Sequence, residues 1–111
     1  MKINEDKLTG ININFAKLRE NRLDESWLAM FGAWTKDILK AMFGELNIPV
    51  KVTGNKREID SFARAMGSEK NYIEAARRYG LDDPRTYRNK AQLEMAAKQF
   101  ERATNLKWPF I

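Results

Sequence analysis

Apolar residues recur along the chain in two periods, and the change of period marks the elements. Ile11-Asn12-Ile13-Asn14-Phe15 alternates apolar with polar positions, the pattern of a short strand. From Trp27 the period lengthens: Trp27, Phe31, Trp34, Ile38 and Met42 recur at spacings of three and four, and Leu28, Met30 and Leu39 widen that face. Asp24 suits an N-cap, Glu25 suits a first helical turn, and Gly44 suits a C′ position. A long aromatic helix is therefore predicted from about Glu25 to Phe43. Ile48-Pro49-Val50-Lys51-Val52-Thr53 alternates again, with Pro49 at a strand start or edge. Two strands this short would need to pair, as a small ribbon within the chain or across a dimer.

The remainder reads as shorter helices separated by punctuation. Asn55 and Glu58 have capping-box spacing, and Ile59, Phe62, Ala63 and Met66 form a stripe that Gly67 would stop. Ser68 would cap the next helix, with Tyr72, Ile73, Ala76 and Tyr79 inward before Gly80 and Leu81. Asp83-Pro84 reads as a cap followed by proline at the first helical position, starting one turn around Arg85, Thr86 and Tyr87. Asn89 and Gln92 repeat the capping-box spacing ahead of Leu93, Ala96, Ala97 and Phe100, and Asn105 ends this last helix. The apolar tail from Leu106 through Trp108 to Ile111 is expected to fold back.

The fold expected is mainly α: a small helical bundle of four to five helices with one long aromatic helix and a minor two-stranded β element. Its 111 residues suit a single domain over 1–111. Within it, an N-terminal arm with a short strand occupies 1–23 and the aromatic helix 24–44. A strand and the C-terminal helical region occupy 48–111.

Composition narrows the chemistry. The chain has neither cysteine nor histidine. It therefore lacks the usual zinc ligands, the thiol nucleophile and the neutral-pH base of serine and cysteine hydrolases. Glu58, Asp60, Asp82 and Asp83 are the remaining acid–base candidates, but caps and turns account for them. Gly54-Asn55-Lys56 lacks the upstream glycine of a phosphate-cradling loop. No enzyme activity, metal, cofactor or small-molecule substrate is expected. No run of 18 apolar residues could span a membrane, and the first residues lack the apolar core of a signal peptide, so a cytoplasmic location is expected.

The net charge is +5, and +4 of it falls on residues 45–111. Arg77, Arg78, Arg85, Arg88 and Lys90 cluster there around Tyr79 and Tyr87, a composition suited to phosphates and stacked bases. The alternative is a solvated face with Asp82 and Asp83 pairing some of the arginines. Ala63, Gly67 and Ile73, at intervals of four and six, resemble the small, turn and β-branched positions of a helix-turn-helix. That resemblance implies that Glu69, Lys70, Asn71, Glu74 and Arg78 would face a DNA groove, with Asn71 and Arg78 reading bases. An ordinary helix–glycine–helix corner is the alternative.

The aromatic helix also has two readings. Most such stripes are core. Yet Trp27, Phe31, Trp34 and Met42 belong to residue types enriched at interface centres, where self-association or partner docking would use them. Lys36 and Lys40 are too few to make it a membrane-surface helix.

Gly67-Ser68-Glu69-Lys70, Tyr79-Gly80-Leu81-Asp82-Asp83-Pro84 and Trp108-Pro109-Phe110 give the C-terminal half a look similar to small tailed-bacteriophage proteins of unassigned role. The resemblance implies a phage setting, in the host cytoplasm or the virion, and assigns no functional residue.

The function expected is non-catalytic binding. The leading version is a protein-interaction or assembly component acting through the aromatic helix. The other is nucleic-acid binding through the basic C-terminal region.

Overall fold

A computed structural model of the chain describes residues 10–20 and 25–110. The architecture is mainly α with a minor two-stranded element, and the described residues form four helices. The chain divides into two compact units, Met1–Asn55 and Lys56–Ile111.

In the first unit, strand β1 (Ile11–Asn14) runs directly into helix α1 (Phe15–Glu20). The junction is set by Asn14, whose side-chain oxygen accepts from the backbone N–H of Ala16 at 3.0 Å and of Lys17 at 3.3 Å. Helix α2 (Glu25–Met42) follows, then strand β2 (Val50–Thr53). The strands are parallel, with Ile11 opposite Val50 and Asn14 opposite Thr53, so two helices serve as the crossover a parallel pair needs. Gly10 has φ 72°, and a Cβ there would strike the Pro49 carbonyl oxygen. That same oxygen accepts from the Ile11 N–H at 2.9 Å and opens the ladder.

Alternation along β1 does what its pattern predicts. Ile11 and Ile13 are buried while Asn12 is exposed. They share the unit's core with Phe15, Leu18, Phe31, Ile38 and Leu39, and Phe15 meets the Phe31 ring edge-on at 6.2 Å. Helix α2 ends as expected at Gly44 (φ 78°) in a Schellman arrangement: Glu45 N–H reaches the Lys40 carbonyl and Gly44 N–H that of Ala41. Asp24, the expected cap, and the side chains of Trp27 and Leu28 lie outside the described residues.

The second unit is an antiparallel helical hairpin. Helix α3 (Lys56–Tyr79) and helix α4 (Pro84–Thr104) are joined by the four residues 80–83. Here the structure corrects the expected division of this region into shorter helices. Gly67 and Ser68 do not break the chain; α3 runs unbroken through 24 residues. One internal glycine costs a helix about 1 kcal/mol. The stripe Phe62, Ala65, Met66 and Glu69 lies buried across it, and that burial is worth more.

Ala63 and Tyr79, expected inward, are exposed. The one-turn segment and the last helix are likewise a single helix. Asp83 caps it and Pro84 opens it as expected, but Asn89 sits inside, its amide donating to the Arg85 carbonyl at 2.8 Å. Thr86 binds the hairpin from within: its buried hydroxyl reaches the carbonyls of Gly80 at 2.7 Å and Ala75 at 3.3 Å.

Helix α4 ends at Asn105, in the left-handed region at φ 65°, and the tail turns back along the hairpin. Trp108 is buried, its ring 5.2 Å from Phe100 and 6.2 Å from Phe62, both edge-on. Its indole N–H donates to Glu69 Oε1 at 2.9 Å, and its backbone N–H to Glu101 Oε2 at 3.0 Å. Burial raises the Glu69 pKa above its ordinary value, with the Trp108 hydrogen bond opposing that shift.

Candidate nucleic-acid interface

The hairpin unit holds most of the charge imbalance. Lys56–Ile111 contains twelve basic and eight acidic side chains, a net +4. Where the helix ends meet, a cleft of about 560 Å³ is walled by Lys56, Arg57, Ser61 and Arg64 of α3 and by Gln99 and Arg102 of α4. A second hollow of about 310 Å³ continues along the hairpin, between Arg64 and Ser68 on one side and Gln92, Met95 and Gln99 on the other. The two share Arg64 and Gln99, so together they form one groove.

Periodicity builds this groove. Arg57, Ser61, Arg64 and Ser68 stand at intervals of four, three and four on α3; Gln92, Met95, Gln99 and Arg102 stand at three, four and three on α4. Each set is one face of its helix, beside the face that packs. Asp60 is the one carboxylate in the lining, and Lys56 pairs with it at 2.6 Å. Among the described residues no ion pair engages Arg57, Arg64 or Arg102. Three guanidinium groups thus present forked donors to one groove, the geometry that suits phosphate oxygens.

The residues expected to touch nucleic acid sit differently. With α3 continuous there is no helix-turn-helix, so Lys70, Asn71 and Arg78 do not belong to a separate recognition helix. Lys70 is partly covered and pairs with Glu74 at 3.1 Å. Asn71 is exposed, and with Arg78 it continues the heptad step from Arg57 and Arg64. Arg77 and Arg78 are exposed in the last turn of α3.

Arg85 is largely committed within the chain. Its Nε and a terminal nitrogen each lie 3.0 Å from Asp83 carboxylate oxygens, and its guanidinium rests 3.6 Å from the centre of the Tyr79 ring. The Arg85 side chain, with its backbone N–H assisting, lowers the Asp83 pKa to about 2, and the same pairing raises that of Arg85. Arg88 and Lys90 are exposed, and Arg88 adds to the positive field on Asp83. The expected solvated pairing near Asp83 therefore accounts for Arg85, while Arg88 remains at the surface.

Among the expected interface residues, Phe31 is only 1% exposed and packs on Phe15, so it belongs to the core. Trp34 is half-buried, Met42 is exposed, and the Trp27 side chain lies outside the described residues.

Reading the sequence alone missed Lys56, Arg57, Arg64, Gln99 and Arg102. Their signal is the three-and-four spacing of arginine and amide residues, which a helix break at Gly67 would interrupt. Among the described residues no three side chains converge as metal ligands, and no helix is long and apolar enough to cross a membrane. No family model matches the chain, nor does any curated protein or solved structure in the comparisons made.

Proposed function

We propose that the chain is a non-catalytic nucleic-acid-binding protein that holds phosphates along the groove of its helical hairpin. The observation that carries this is the cleft walled by Lys56, Arg57, Arg64 and Arg102, whose one carboxylate is taken up by Lys56. Arginines that no carboxylate of the cleft pairs with suit an anion supplied from outside, and a repeating phosphate chain matches cations repeated along a helix face. The mode is groove binding by a hairpin rather than insertion of a recognition helix.

Fluorescence anisotropy with short labelled DNA and RNA, at low and moderate salt, tests it. Affinity is expected to fall linearly on a log–log plot against salt. The Arg57→Ala/Arg64→Ala/Arg102→Ala variant is expected to bind more weakly, with a slope shallower by about 2 to 3. These side chains are exposed, so the fold should persist, and circular dichroism checks that. Absence of binding at low salt ends the proposal, as does a triple variant with unchanged affinity.

Protein docking through α2 is the second reading. Met30 is 45% exposed and Trp34, one turn on, is half-buried, so together they offer a small apolar surface without Phe31. This reading predicts a defined oligomer or complex that Met30→Ser disperses, measured by light scattering after gel filtration.

A further inference from the structure

The groove is unlike a purely phosphate-binding strip, because Arg64 of α3 faces an α4 wall whose middle carries no charge. On the α4 wall the lining runs Gln92, Met95, Gln99 and Arg102, with amides around a methionine and a cation at the open end. Met95 is 64% exposed, among the most exposed large apolar side chains described. It lines the groove beside Gln92 and Gln99, with Ser68 and Arg64 on the opposite wall. Building on the proposed function, we infer that the ligand is specifically single-stranded nucleic acid. Its bases lie in the central groove and its phosphates meet the arginines.

Three features converge on that ligand. A glutamine amide offers two donors and an acceptor, which matches the hydrogen-bonding edge of an unpaired base. In a duplex the Watson–Crick edge is already paired, and the remaining edges are reached only by an element that enters the major or minor groove. A thioether is soft and polarisable, giving the flat face of a base an apolar surface to lie against. A duplex keeps those faces stacked inside. Finally, the groove runs between two packed helices, whose axes in such pairs are about 8–10 Å apart. A duplex is wider than the spacing of such a helix pair and can only rest its phosphates on the rim, whereas a single strand can lay bases along the furrow between the helices. From Arg57 to Ser68 the groove wall extends about 16 Å along α3, enough for several adjacent contacts rather than one anion.

The arginines act at one end and at the centre of this arrangement. Arg57 and Arg102 flank the cleft at the open end of the hairpin, and Arg64 stands where the two hollows join. Sequence preference would come from the amides, and sequence-tolerant affinity from the cations and Met95.

The test compares a short labelled single strand with the same strand annealed to its complement, using the full chain, at low salt. The single strand is expected to bind at least about tenfold more tightly. The Met95→Ala/Gln99→Ala variant, which removes no charge, is expected to lose about tenfold in single-strand affinity while leaving duplex affinity unchanged. Both residues are exposed, and the native-protein comparison stands whether or not the variant folds.

Equal or tighter binding of duplex overturns this inference and leaves the proposed function standing. Failure of both probes removes the two together. Inorganic polyphosphate of matched charge serves as competitor. If it displaces the strand as well as unlabelled strand does, the groove reads phosphate alone and the single-strand assignment falls.

Discussion

Gly67 and Glu69 show how one position can carry opposite messages in sequence and in structure. A glycine followed by serine reads as a helix stop and a cap. Yet Gly67 lies inside α3, and open space surrounds the position a Cβ would occupy. Gly67→Ala should therefore stabilise the protein by about 0.5–1 kcal/mol in urea unfolding, whereas a turn glycine would lose stability on the same change. Asn89 misleads for a related reason. Capping-box spacing is also one turn of helix interior, so Asn89 and Gln92 fit either place until the register of packing is known. Gly44, Asp83 and Pro84 were legible because each is a local backbone device that needs no partner element.

Glu69 could not be recognised as buried from its type alone. Its pKa is raised by burial, so folding favours the protonated form. The stability tied to this group is fully present below the ordinary carboxylate value and is lost as pH rises through the raised one. Glu69→Gln keeps an acceptor for the Trp108 indole without the buried charge. It should melt above the native protein at pH 7, with the gap closing towards pH 4, as thermal scans across that range would show.

At the scale of elements, the hairpin is held by apolar faces and closed by polar clips. Phe62, Phe100 and Trp108 pack at the open end, while Thr86 ties the start of α4 to the end of α3 at the other. Thr86→Val preserves the shape but leaves the Gly80 carbonyl without its hydroxyl donor, so about 1–3 kcal/mol should be lost in chemical denaturation. Little change would mean that water serves that carbonyl equally well. The individual helical faces were legible because helical periodicity is strong over long stretches. Their fusion into two long helices was not, since it depends on α3 and α4 burying each other. The strands were legible from alternation, but their parallel pairing was not, because residues 11–14 and 50–53 carry no local turn to declare their direction.

Over the whole molecule, charge separates with the two units: the hairpin carries +4 and the first unit +1. The salt response of nucleic-acid binding should follow that division. Replacing Lys36 and Lys40 of α2 with glutamine should leave the slope of the salt titration where it was, in contrast to the groove arginines. A slope that moved with these lysines would spread the interface beyond the hairpin. Part of this charge pattern was legible: the basic excess of the C-terminal part was plain from the count. The site itself was not, since the residues noticed first crowd together in sequence around 77–90. The groove instead joins positions some forty residues apart, as with Arg57 and Arg102.

The parallel pairing of β1 with β2 bears on the order in which the chain organises itself. Ile11 cannot meet Val50 until the thirty-eight residues between them have been drawn into a loop. The conformational entropy of that closure is spent before the four-residue ladder returns anything. The hairpin faces no such delay, because its helices are neighbours joined by four residues and most of its pairings are closer in sequence. The helical hairpin should thus fold early and the strand pair late, with hairpin amides protected first in pulsed hydrogen exchange. The groove, whose wall residues Arg57 and Arg102 lie at the open end, would then close last within the hairpin, as the helices zip together from residues 80–83.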